Sequence, residues 1–190
     1  MLKPLFATIS MLVIMDSVTK ILVRTTLLPG QSVNLIGEIV KITFVQNYSG
    51  FSWWVPTLPV WAKGLHQAIL IILAVMAYPV YIFYKQTRQD NVWAKLAFVF
   101  IVSASLSHIL GDIGQAYTTD FIQVLNSPSA NLADIYSYTG IGSLIIVIYR
   151  GIRTRDYREI GIRNILAGMK ATRKEFIQFM KSGIKRKEEK

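Results

Sequence analysis

Four stretches of this 190-residue chain, residues 4–23, 65–84, 92–110 and 132–149, are each close to twenty residues long and nearly free of charge. A helix needs about 20 mostly apolar residues to cross the hydrocarbon core of a bilayer. Backbone polar groups find no water there, so a spanning segment must satisfy its own hydrogen bonds as a helix or within a closed barrel. The chain is therefore expected to be mainly α, a four-helix transmembrane bundle. A composition of 52% hydrophobic and 17% charged residues, with a mean hydropathy of +0.39, excludes an ordinary soluble domain. No cysteine is present, so neither a disulfide framework nor a thiol nucleophile is available. The first stretch follows a lone Lys3, as a signal peptide would, but Asp16 and Lys20 interrupt it and no small-residue cleavage pattern follows. It reads as a retained helix.

A formal charge of +10 would suit a nucleic-acid binder if it lined a groove, but it does not. Residues 151–190 hold twelve Lys/Arg against five Asp/Glu, a surplus of seven, so most of the charge belongs to the tail. No nucleic-acid partner is expected. The short loop KQTRQDNVWAK between spans two and three is also basic, whereas segments 24–63 and 111–131 carry three basic residues (Arg24, Lys41, Lys63) and none. The Lys/Arg bias places both termini in the cytoplasm and the two poorer segments outside. Residues 1–150 then form the membrane domain and 151–190 a basic cytoplasmic tail. Ile162, Ile165, Leu166, Met169, Phe176, Met180 and Ile184 recur there at helical spacing between basic residues. That is the pattern either of an amphipathic helix on an anionic leaflet, with membrane lipids as partners, or of a solubilising tail.

The outward segment about 32–52 is not membrane-like. In EIVKITFVQ, Val40, Ile42 and Phe44 alternate with Lys41 and Thr43, and SVNLIG ends on the turn residue Gly37. This predicts a small extracytoplasmic β-sheet. Trp53, Trp54 and Trp61 cluster just before span two, where an interfacial belt belongs.

Four acids gather at the outward ends of the spans: Asp16, Asp112, Asp120 and Asp134. Charges in or beside a membrane are costly and usually face a protein interior or an aqueous cavity. Two carboxylates sharing a site tend to hold one proton between them, so one can activate water while the other polarises an amide carbonyl. Neither a metal nor a cofactor is needed for that chemistry. Asp134 has a plainer reading as well, as an N-terminal acid complementing the dipole of the fourth helix. Lys20 stands four residues after Asp16, the spacing of a helical ion pair, and an intramembrane charge needs a partner.

These residues resemble the lipoprotein signal peptidase (signal peptidase II) family over roughly residues 10–142. DSVTK (16–20) is similar to the family's Asp-x-x-Ser/Thr-Lys box. VQNYSGFS is similar to its Asn-x-Gly-Ala-Ala-Phe-Ser segment and points to Asn47, Gly50, Phe51 and Ser52. TTDFI is similar to Val-Val-Asp-Phe-Ile, and NLAD to Asn-x-Ala-Asp; Gly140 follows six residues later, as in the family. The resemblance implies catalytic aspartates at Asp120 and Asp134, with Asn47 and Asn131 binding substrate backbone or orienting the acids. It further implies a prolipoprotein substrate, cut immediately before a lipid-modified cysteine, and a bacterial inner-membrane location with the site facing outward.

The chain departs from the family in SHILGDIGQ. His108 stands where the spacing from Asp120 places an asparagine, Gly111 where it places an acid, and no arginine follows. His108 is accordingly expected at the substrate site as a donor, or else as a helix histidine with one ordinary hydrogen bond. The alternative function is a catalytically inactive or altered-substrate relative that binds lipidated peptides at the membrane. Ser103 and Ser107 share a helix face and are expected to be packing positions.

Overall fold

The computed structural model describes residues 2–48, 61–87, 91–111, 113–153 and 162–182, with the side chains at 61–63, 152–153 and 162–170 excepted. Gly50, Phe51, Ser52, Trp53, Trp54 and Asp112 lie outside the described residues, as does the side chain of Trp61. The expected spans are helices α1 (Lys3–Thr26), α2 (Trp61–Thr87), α3 (Val92–Gly111) and α4 (Leu132–Arg153). Each contains at least 20 residues long and apolar enough to cross a bilayer.

Helix α3 is the centre of the bundle, and α1, α2 and α4 pack around it. Apart from Lys95 and His108 its sequence is apolar or small, as a largely enclosed helix requires. Ala94, Ala97, Phe98, Val99 and Val102 are buried, and the Phe98 ring stacks on Tyr81 of α2 at 4.7 Å between centroids. The outer helices reverse the soluble pattern: Met11, Ile14, Ile72, Val75, Ile145 and Ile148 are exposed. Apolar belts of that extent are stable only against hydrocarbon. The protein is a multi-pass membrane protein.

Where α3 meets α4 the backbones touch. A Cβ on Gly140 would lie 2.9 Å from Ile101 Cγ1 and 3.0 Å from the Ile101 backbone nitrogen. Backbone cannot swing aside as a flexible side chain can, so Gly140→Ala is expected to destabilise the bundle by about 1–3 kcal/mol. Gly142→Ala, whose Cβ would meet nothing within 4 Å, serves as the control. Thermal unfolding in detergent should show a lowered midpoint for the first and not for the second.

The expected sheet forms, with one more strand than the alternation signalled. Strands β1 (Ser32–Ile36) and β2 (Val40–Asn47) make a hairpin around Gly37, whose φ of +50° favours glycine. A third strand, β3 (Thr118–Val124), pairs antiparallel with β2, with Val45 opposite Asp120 and Asn47 opposite Thr118. Phe44 and Phe121 pack with Val23 of α1 into a second core that seats the sheet on the end of the bundle. Helix α5 (Ile162–Ser182) matches the predicted tail helix, and Phe176 and Phe179 place their rings 5.3 and 5.6 Å from that of Phe83, near the C-terminal end of α2.

Candidate active site

Asp120 and Asp134 reach the site from different kinds of element. Asp120 is the third residue of β3, and strand alternation puts its side chain on the same face as that of Thr118. Asn47 lies opposite Thr118 in β2, and its amide Nδ2 donates to Asp120 Oδ2 at 3.0 Å. After β3 the chain turns through Leu125, in the left-handed region at φ 54°, and doubles back so that Ala130 bridges to Ile122. The return is held by Ala130 N–H donating to the Ile122 carbonyl at 2.9 Å and Ile122 N–H to the Ala130 carbonyl at 2.7 Å. It delivers the next residue, Asn131, directly beside Asp120.

Asn131 is wholly buried, and every part of it is used. Its Nδ2 donates to Asp120 Oδ1 at 2.7 Å. Its Oδ1 accepts the Asp134 N–H at 3.1 Å, while its own N–H donates to Asp134 Oδ2 at 2.9 Å. That reciprocal pair is a capping box at the start of α4, with Asn131 as N-cap and Asp134 three residues on. The helix-cap reading of Asp134 is therefore correct, and it coexists with a place in the carboxylate pair. One asparagine fixes both acids.

Behind the pair lies a buried support. Asp16 and Lys20 form the i, i+4 ion pair at 2.9 Å, both fully buried. The second Asp16 oxygen accepts the Ala133 N–H at 3.1 Å, so α1 supplies a further cap to the first turn of α4. Lys20 lies against Gly111, where a Cβ would come within 2.9 Å of Nζ. Arg24 Nη1 donates to the Gly111 carbonyl at 3.4 Å. Two cations of α1 thus converge on the C-terminal end of α3, where a helix dipole favours positive charge. Arg24 carries no motif signal, and only its place one turn beyond Lys20 hinted at it.

His108 lies close to the dyad, with Nε2 3.6 Å from Asp134 Oδ1. Ser103 and Ser107 are fully buried in α3, and their hydroxyls have no hydrogen-bond partner among the described residues. Among the described residues no three His, Asp or Glu side chains group closely enough to hold a metal ion.

Burial, and after it the neighbouring Asp134 charge, push the Asp120 carboxyl up to about 7, against the pull of the Asn47 and Asn131 hydrogen bonds and of Lys20. A carboxyl so placed exchanges its proton near neutral pH, which is what general acid or base chemistry requires.

Residues 8–150 match the profile of the family described as Signal peptidase (SPase) II. The lipoprotein signal peptidase of Clostridioides difficile is 23% identical over 146 residues, 74% of this chain and 90% of the relative. That of Fusobacterium nucleatum is 28% identical over 142 residues, 71% of this chain and 79% of the relative. That of Streptococcus pyogenes is 26% identical over 154 residues, 79% and 96% of the two chains. A solved bacterial membrane enzyme superimposes with a TM-score of 0.70 at 22% identity, covering 85% of this chain and 96% of its own. With the profile spanning most of the chain and these relatives matched over most of their length, the chain belongs to the signal peptidase II family.

Proposed function

We propose that the protein is an aspartic endopeptidase that removes signal peptides from prolipoproteins, cutting the amide bond immediately before a diacylglyceryl-modified cysteine. The observation that carries this reading is the joining of Asp120 and Asp134 through one buried residue, Asn131, whose side-chain amide holds the first carboxylate and whose backbone N–H holds the second. Acids so coupled ionise one at a time, and the pair holds one proton near neutrality. The ionised carboxylate takes a proton from water, whose oxygen bonds to the scissile carbonyl carbon. The protonated carboxyl meanwhile hydrogen-bonds to, and then protonates, the carbonyl oxygen. The C–N bond breaks as the nitrogen gains a proton from the dyad, leaving a carboxyl on the signal peptide and an amine on the lipidated cysteine. Asn47 and Asn131 each direct an amide N–H to Asp120, and their part is to orient the acids. The lipid-facing bundle suits a substrate whose acyl chains never leave the bilayer. The Lys/Arg bias orients the sheet outward from a bacterial cytoplasmic membrane, with both termini inside.

The experiment that tests this reading offers the purified protein a prolipoprotein with and without its diacylglyceryl group. Cleavage of the modified form alone is expected; equal cleavage of both would remove the lipid from the account. The raised Asp120 carboxyl adds a pH dependence with a definite sign. It is protonated below about 7 and ionised above, where the pair loses its shared proton. Accordingly kcat/KM should fall on the alkaline side of about 7, approaching tenfold per pH unit. A profile level from pH 6 to 9 would show that the shared proton is not needed.

A further inference from the structure

The carboxylate pair has four oxygens, and three of them accept amide N–H groups at close range. Asp120 Oδ1 takes Asn131 Nδ2 at 2.7 Å, Asp120 Oδ2 takes Asn47 Nδ2 at 3.0 Å, and Asp134 Oδ2 takes the Asn131 N–H at 2.9 Å. The fourth, Asp134 Oδ1, faces His108 Nε2 at 3.6 Å. That separation is longer than a full hydrogen bond and within reach of an electrostatic contact. The other ring nitrogen, Nδ1, is buried and has no hydrogen-bond partner among the described residues, so no hydrogen bond from that side orients the ring. What does touch it is a second imidazole: His66 of α2 lies edge-to-face on His108, 5.6 Å between centroids and 71° between planes. His66 is half-buried and belongs to a different helix. The only two histidines in the chain therefore meet beside one oxygen of the dyad.

We propose that His66 and His108 form a positioning pair for the second acid, in which His108 steers Asp134 Oδ1 and His66 locks the His108 ring. Edge-to-face contact suits this role, because it fixes a ring plane without consuming the nitrogen that faces the carboxylate. The pair performs with an imidazole, braced from α2, what an amide donor on α3 would perform alone. Neither histidine exchanges atoms with substrate, and His66 acts only through His108. This inference rests on the proposed carboxylate chemistry.

The test is a double-mutant cycle on the purified protein with lipid-modified prolipoprotein, measuring kcat and KM separately alongside the thermal midpoint in detergent. His108→Ala is expected to lower kcat about tenfold with little change in KM, the pattern of an interaction that matters at the transition state. His108→Gln, whose amide nitrogen can take the place of Nε2, should recover most of that loss. His66→Ala should cost about three- to fivefold in the parent and nothing further in the His108→Gln background, because the ring it braces is gone. Multiplicative losses in the double variant, or full kcat in His66→Ala, would overturn the pairing while leaving the aspartic reading intact. Asp134→Asn, run beside them, separates the two failures. Unimpaired cleavage by that variant would end the carboxylate reading and the histidine pair with it.

Discussion

Asp120→Asn and Asp134→Asn are each expected to lower cleavage of a lipid-modified prolipoprotein about a thousandfold or more, and the double variant is expected to be no worse than either single one. The non-additivity follows from the chemistry: an acid without its base, or a base without its acid, has already lost the shared proton. Asparagine is the informative replacement because it keeps the contacts that hold the fold. At position 134 its amide oxygen can still accept the Asn131 N–H that closes the capping box. At position 120 the amide can still turn its oxygen toward one of the two asparagine donors. Unfolding midpoints close to the parent's should accompany the loss of turnover, and binding of the lipidated substrate should persist. Cleavage surviving in either variant at more than a tenth of the parental rate would mean that the pair is a helix cap and not a catalyst.

The largest effect on stability is expected from Lys20→Met. Lys20 and Asp16 are both fully buried and 2.9 Å apart, so removing the cation strands a carboxylate in the interior of the bundle. Breaking such a pair from one side typically costs about 3–5 kcal/mol, whereas replacing both members with apolar groups costs far less. Asp16 complicates the second half of that rule, because its other oxygen holds the Ala133 N–H at the start of α4. Asp16→Asn combined with Lys20→Met keeps an acceptor for that N–H and removes the charge. The double variant should therefore unfold well above Lys20→Met alone. A Lys20→Met protein with the parental midpoint would contradict the view that this pair supports α4. Loss of the support also reaches the dyad, since Ala133 lies between Asn131 and Asp134 in the first turn.

The spans were legible because bilayer thickness sets helix length directly, and the four helices begin and end within a few residues of the apolar stretches. The Asp16–Lys20 pair was legible for the same local reason, since helical spacing alone brings residues four apart together. Strand β3 was not. Its sequence TTDFIQV does not alternate polar and apolar residues, and its first four residues are all buried, so no period-two signal marks it. Its partner β2 lies more than seventy residues earlier, and only tertiary pairing reveals that Asn47 and Asp120 are neighbours. Asp134 is legible in NLAD as an N-terminal acid of the fourth helix, and its capping box with Asn131 bears that reading out. His66 shows the limit most sharply: a lone histidine near the start of α2 has no periodic or motif signature, and its meaning comes only from the ring it meets on α3.

If this bundle hydrolyses one defined bond, the masses of the products identify it. The purified protein in detergent would be given a diacylglyceryl-modified prolipoprotein, and the two fragments weighed. The expected products are a signal peptide ending in a free carboxyl one residue before the lipidated cysteine and a mature chain beginning with that cysteine, with neither fragment from Asp120→Asn or Asp134→Asn. Intact substrate held by a folded parent protein, with no fragment formed, would contradict it and leave a protein that binds lipidated peptides without cutting them.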